Sequence, residues 1–117
     1  MIAPDRVALA LSDPMRLQIL DLLVEGRGVA CCSPANPETP GGICACDLIG
    51  VLGIAPSKLS YHMKELREAG LTTEQKRGRW VYYTLNRDAM AEFLTTLANR
   101  YAYSSCRLAD PAETPTP

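Results

Sequence analysis

Hydrophobic positions recur at helical spacing along most of this chain and at strand spacing in one short stretch. Val7, Ala10 and Leu11 stand at i, i+3, i+4 and predict a short first helix. Ser12-Asp13-Pro14 is a helix-start signal, a capping residue followed by proline at the first helical position. From Met15 to Val24 a broad apolar stripe runs through Leu17, Leu20, Leu23 and Val24, widened by Ile19; Gly26 and Gly28 stop that helix. The pattern then lapses. Residues 27–43 are dense in turn formers (Ser33-Pro34-Ala35-Asn36-Pro37-Glu38-Thr39-Pro40-Gly41-Gly42) and read as an inserted loop. Loops this long are uncommon in compact domains and are often functional. A short helix resumes near Cys46-Asp47, runs to Leu52 and is closed by Gly53. Pro56 opens the next, whose apolar positions Leu59, Met63 and Leu66 continue until Gly70. Two short helices joined by a glycine-containing turn form a helix-turn-helix pattern.

Downstream, Leu71–Lys76 and Trp80–Leu85 are β-prone runs around Arg77-Gly78-Arg79, which predicts a hairpin. A basic hairpin after a helix-turn-helix is a wing. Asn86 then caps a last helix reaching Tyr103, with Met90, Phe93, Leu94, Leu97, Ala98 and Tyr101 in helical register. That stripe is broad enough to cover the core and meet a second copy. The expected fold is mainly α with a small β-hairpin: a winged helix-turn-helix over residues 1–106, homodimeric, followed by a flexible tail over 107–117.

The chain of 117 residues suffices for one domain, and its 47% apolar and 21% charged composition is that of a globular protein. No run approaches the ~18 apolar residues that span a bilayer. The first residues lack the basic start and apolar core of a secretory signal, so a cytoplasmic location and no membrane partner are expected. Net charge is only -1, yet residues 51–87 carry seven basic side chains (Lys58, Lys64, Arg67, Lys76, Arg77, Arg79, Arg87) against three acidic ones (Glu65, Glu68, Glu74). A local basic patch is the footprint expected for phosphate contacts.

Within that patch, Ser57, Lys58, Ser60, Tyr61 and Lys64 face away from the Leu59/Met63/Leu66 stripe, in the part of the helix that reaches base edges. Lysine and serine can contact bases or phosphate, and tyrosine can bond phosphate. Lys76, Arg77 and Arg79 crowd the wing, where they would supply affinity and salt dependence more than sequence choice. The expected partner is double-stranded operator DNA. His62 is the single histidine and reads as a packed side chain; a zinc site with two histidines is ruled out within one chain.

Four of the five cysteines, Cys31, Cys32, Cys44 and Cys46, fall in one sixteen-residue window just upstream of the helix-turn-helix. In a reducing compartment such spacing favours metal binding or redox chemistry over structural disulfides. Thiolates select soft ions, and a helix N-terminus favours the thiolate form. A soft-ion trap at the root of a DNA-reading element suggests a switch. Cys106 reads as a spare thiol.

Four blocks, Asp13–Leu20, Cys44-Ala45-Cys46-Asp47-Leu48, Lys58–Leu71 and Gly78–Tyr83, occur in an order that resembles the ArsR/SmtB family of metal-sensing repressors. The resemblance covers roughly residues 5–100. It implies a homodimeric winged helix that represses a resistance operon and leaves DNA when its ion binds. An enzyme is not expected, since the chain offers no anion-cradling loop between a nucleophile and a helix and no second histidine. It also implies that Cys44 and Cys46 form the family's metal box. The third cysteine of the arsenic sensors' box is replaced here by Ile49, and the histidine-built zinc site on the family's last helix has no counterpart. Ala55 stands where a serine cap is common, with Pro56 fixing the helix start. Cys32 or Cys31 can complete a three-thiolate pyramid for As(III) or Sb(III). All four cysteines could instead build a tetrahedron for Cd(II) or Zn(II). A thiol redox sensor, oxidised at these cysteines, is the further alternative.

Overall fold

The computed structural model describes residues 3–26, 34, 36–38 and 41–102. Cys31, Cys32, most of the inserted loop, Cys106 and the tail over 107–117 lie outside the described residues. Helix α1 spans Pro4–Ala10 and α2 Pro14–Glu25; a two-residue strand β1, Ile43–Cys44, leads into α3, Ala45–Leu52. Helix α4 covers Pro56–Glu68, strands β2 and β3 cover Thr72–Arg77 and Trp80–Leu85, and α5 covers Arg87–Leu97 before a π-helical turn over Ala98–Ala102. Among the described residues no helix is long and apolar enough to cross a membrane.

The start and stop signals work as the sequence predicts. The Asp13 carboxylate accepts a hydrogen bond from the Met15 N–H at 2.7 Å, and that bond holds its carboxyl below the usual carboxylate range. Asn86 caps α5 through the Ala89 N–H. After α4, the Gly70 and Leu71 amides turn back to the carbonyls of Arg67 and Leu66, with Gly70 at φ 83°. This is a Schellman closure, and it seats Leu71 fully buried beside Leu66. Ala55 offers no side-chain cap, but its carbonyl accepts from the Lys58 and Leu59 amides and Pro56 fixes the first turn.

Three expectations need correction. In α2 the buried face is Arg16, Ile19, Leu20 and Leu23, whereas Leu17 and Val24 are about half exposed, at 47% and 54%. The helix is turned so that Arg16 reaches α1 and α4, which carries Leu17 outward. The wing turn is two residues, Gly78-Arg79, with Arg77 paired to Trp80 as the last residue of β2. Positive φ falls on Gly78, the first central position, as a II′-type hairpin requires. The final α-helix stops at Leu97; the π turn carries the chain to Ala102, and Tyr103 is outside the described residues.

The sheet has a third member that periodicity does not reveal. Its order is β1-β3-β2, all antiparallel, with Ile43 opposite Tyr83 and Cys44 opposite Tyr82. The core joins Val7, Ile19, Leu20, Leu23, Ile43, Leu48, Leu59, Met63, Leu66, Leu71, Tyr83 and Phe93. Each such side chain contributes about 1.5–3 kcal/mol over leaving it in water. This core fixes α4 and the hairpin against one another, so the two basic elements act from one frame.

Candidate nucleic-acid interface and thiol site

On α4, Leu59, His62, Met63 and Leu66 face inward, while Ser57, Lys58, Ser60, Tyr61 and Lys64 are all exposed. The five residues singled out on the sequence therefore share one open surface of the helix. Lys64 lies 4.0 Å from Glu68, an exposed pair of little energetic consequence.

Behind that surface stands a buried polar node that sequence reasoning missed. Arg16, 6% exposed, donates from Nε to the Ala10 carbonyl at 2.6 Å and from a terminal nitrogen to His62 Nδ1 at 3.1 Å. A guanidinium can only donate, so Nδ1 accepts and the ring is neutral, with its proton on Nε2. Burial pushes the His62 pKa down and the Arg16 charge adds to that, while Asp13 opposes it. Tyr61 meets His62 edge-on at 5.2 Å and lies 6.0 Å from the Arg16 guanidinium. Arg16 thus ties α1, α2 and α4 together. The available signal was an arginine in register with Ile19, Leu20 and Leu23 at i+3, i+4 and i+7.

At the wing, Lys76, Arg77 and Arg79 are exposed. The Arg79 guanidinium rests over the Trp80 ring at 4.7 Å. Arg77 is already engaged within the chain: one terminal nitrogen donates to Glu38 Oε1 at 2.9 Å and to Asn36 Oδ1 at 3.0 Å. Gln75 donates to the other Glu38 oxygen at 2.7 Å, and the Tyr82 hydroxyl donates to the Pro34 carbonyl at 2.7 Å. Asn36 is buried, and its Oδ1 also accepts from the Glu38 amide at 3.1 Å. Pro34 and residues 36–38 of the insert therefore act as a strap fastened to β2 and β3. No local pattern announces this.

The two box thiols sit at the start of α3. Cys44 is 3% exposed and Cys46 half-buried. Asp47, fully buried, accepts from the Cys44 amide at 3.1 Å through Oδ2, and its Oδ1 lies 3.8 Å from Cys46 Sγ. Asp47 and Cys44 form a capping box that fixes the geometry of the dipeptide-spaced pair. Among the described residues no group of three or more His, Cys, Asp or Glu side chains is arranged to hold a metal ion. Cys44 and Cys46 both stand at the start of α3; Cys31 and Cys32, the other expected ligands, lie outside the described residues.

A family model described as a helix-turn-helix domain matches residues 11–75. The chain is 38% identical over 77 residues to the arsenical resistance operon repressor of Bacillus subtilis, a match covering 66% of this chain and 60% of that one. It is 36% identical over 87 residues to the arsenical resistance operon repressor of Staphylococcus aureus, covering 74% and 69%. In structure it resembles an ArsR-like transcriptional regulator from Rhodococcus sp. RHA1, with a TM-score of 0.65 at 25% identity over 85% of this chain and 79% of that one. On this kinship of sequence and fold, the chain belongs to the ArsR/SmtB family of winged-helix transcriptional repressors.

Proposed function

We propose that this chain works as a homodimeric, operator-binding repressor that trivalent arsenic or antimony releases from DNA by binding cysteine thiolates. In this reading Ser57, Lys58, Ser60, Tyr61 and Lys64 enter the major groove, and Lys76, Arg77 and Arg79 hold the flanking backbone. Their common exposure on α4 and the wing supports that assignment. Support for a dimer comes from Leu9, Leu94 and Tyr101, apolar side chains left 62%, 58% and 76% exposed on α1, α5 and the π turn.

The observation that carries the metalloid reading is the Tyr82–Pro34 hydrogen bond. Tyr82 is the cross-strand partner of Cys44, so the two side chains leave the sheet on one face, their Cα atoms about 5 Å apart. Pro34 follows Cys32 by two residues, and two residues of chain span at most about 7 Å. This tie favours a reading in which Cys32 or Cys31 reaches the box. Cys44, Cys46 and one loop thiol make the three-thiolate set that a soft trivalent ion prefers. Such a bridge would pull on the N-terminus of α3, which packs on α4. The two α4 helices of a dimer must match half-sites about 34 Å apart, so a small tilt costs binding. The ion shifts the balance only by binding the DNA-free shape more tightly.

The test is release of a fluorescent operator duplex at fixed salt, across arsenite, antimonite, cadmium, zinc and peroxide, with Cys→Ser variants at all five cysteines. Arsenite and antimonite should release the wild type, and Cys44→Ser or Cys46→Ser should hold DNA but stop responding. Unchanged DNA affinity on saturation with arsenite would overturn the metalloid reading. Release by cadmium or zinc that needs all four window cysteines marks a tetrahedral site, and release by peroxide alone marks a redox sensor.

A further inference from the structure

We infer that Glu38 is an internal competitor for the DNA backbone: a carboxylate that the inserted strap lays on Arg77, so that strap and phosphate contend for one guanidinium. The inference rests on the operator-binding reading and adds a second route of control, through the wing, to the pull on α3.

Three observations carry it. First, the contact is built. Both Glu38 oxygens are engaged, by Arg77 and Gln75, while the buried Asn36 holds both the Glu38 amide and Arg77 through one oxygen. An arginine donor pair satisfied by carboxylate and amide oxygens is in the state that a phosphate would otherwise produce. Second, the contact is exchangeable. The Arg77 and Glu38 side chains are 52% and 62% exposed, so water and salt screen the pair and the fold does not depend on it. A polyanion can displace a carboxylate held this loosely. Third, the competitor is joined to the thiol site through a short path. Glu38 follows Pro34 by four residues, Pro34 is bonded to Tyr82, and Tyr82 stands opposite Cys44.

The sense of the coupling follows. With the strap seated, Glu38 masks one cation of the wing and adds a negative charge where phosphate must approach. With the strap lifted, Arg77 is returned to the DNA-facing surface. An ion that joins a loop thiol to Cys44 and Cys46 fastens the strap in its seated position and keeps the wing masked. The insert then acts as both ligand arm and electrostatic shield.

The experiment uses full-length protein and a duplex recovered from random-sequence DNA by the wild-type protein. Affinity is measured as a function of salt for wild type, Glu38→Gln, Glu38→Lys, Arg77→Ala and the Glu38→Gln/Arg77→Ala pair. Glu38→Gln should bind about two- to fivefold more tightly without inducer, and Glu38→Lys more tightly still. The salt slope of Glu38→Gln should steepen by up to about 0.9, the share of one Arg77–phosphate contact that the strap withholds in wild type. In the Arg77→Ala background the gain should vanish. Arsenite bound per chain, measured by dialysis, should stay at the wild-type value in Glu38→Gln while release of DNA becomes less complete. Unchanged affinity and slope in Glu38→Gln and Glu38→Lys, on a duplex that wild type binds and arsenite releases, would overturn the inference and leave the repressor reading standing. A gain that persists without Arg77 would overturn it equally. Recovery of no duplex at all would sink both.

Discussion

The two parts of the proposed DNA-facing surface are held in opposite ways. Helix α4 is braced from behind by Leu59, Met63 and Leu66 and by the Arg16–His62 bond, all within the interior. The wing is tied by Glu38, Gln75 and Arg77 through contacts open to solvent. Interior contacts are costly to break and set geometry. Exposed ion pairs cost little to exchange and can be reassigned to a ligand. In the proposed reading, base reading falls to the rigid element and adjustable affinity to the loosely tied one.

Substitutions on either side should separate those roles. The largest effect is expected from Leu66→Ala, which opens a cavity under α4 and should cost about 2–5 kcal/mol in urea unfolding. Arg16→Ala comes next, at about 1–3 kcal/mol, because the Ala10 carbonyl and His62 lose a buried charged donor. Since α4 loses its brace, discrimination between specific and random duplexes should fall as well. The pH dependence of stability is a finer probe. Burial lowers the His62 pKa below its unfolded value of about 6.5, so the unfolded chain binds the extra proton first. This residue's contribution is complete above pH ~6.5 and is lost as pH falls from there through the lowered native pKa. His62→Gln should flatten that part of the profile in urea titrations between pH 7 and 5; an unaltered profile would remove His62 as its source. The smallest change in stability, within about 0.5 kcal/mol, is expected for Arg77→Ala. Its effect should appear instead as weaker DNA binding with a shallower salt slope. A comparable loss of stability in Arg16→Ala and Arg77→Ala would erase the distinction between the two regions.

Local signals were enough for most of the fold. Asp13-Pro14, Pro56, Gly70 and Asn86 each mark a boundary by chemistry that acts within a few residues, and the hairpin was legible from its β-branched and aromatic run. The exposure of Ser57, Lys58, Ser60, Tyr61 and Lys64 on α4 follows from helical periodicity alone. What escaped depends on partners far along the chain. β1 is two residues long and has no period to detect; it exists because Ile43 and Cys44 pair with Tyr83 and Tyr82. The buried face of α2 was misplaced because residue type favours Leu17 over Arg16, whereas the available acceptors on Ala10 and His62 favour the reverse. The strap escaped for the same reason. Its polar contacts join residues 37 to 48 positions apart, and its composition advertises only turns. The Cys44/Cys46 pair was visible, but the buried Asp47 that sets its geometry was not singled out.

The Tyr82–Pro34 tie has a consequence for assemblies of unlike subunits. If the proposed site takes its arm, box and wing from a single polypeptide, as the Tyr82–Pro34 bond favours, each protomer would listen for itself. A mixed pair, one half deafened by Cys44→Ser, would let go of one half-site and keep its grip on the other. A population of such pairs would answer a rising dose in graded fashion.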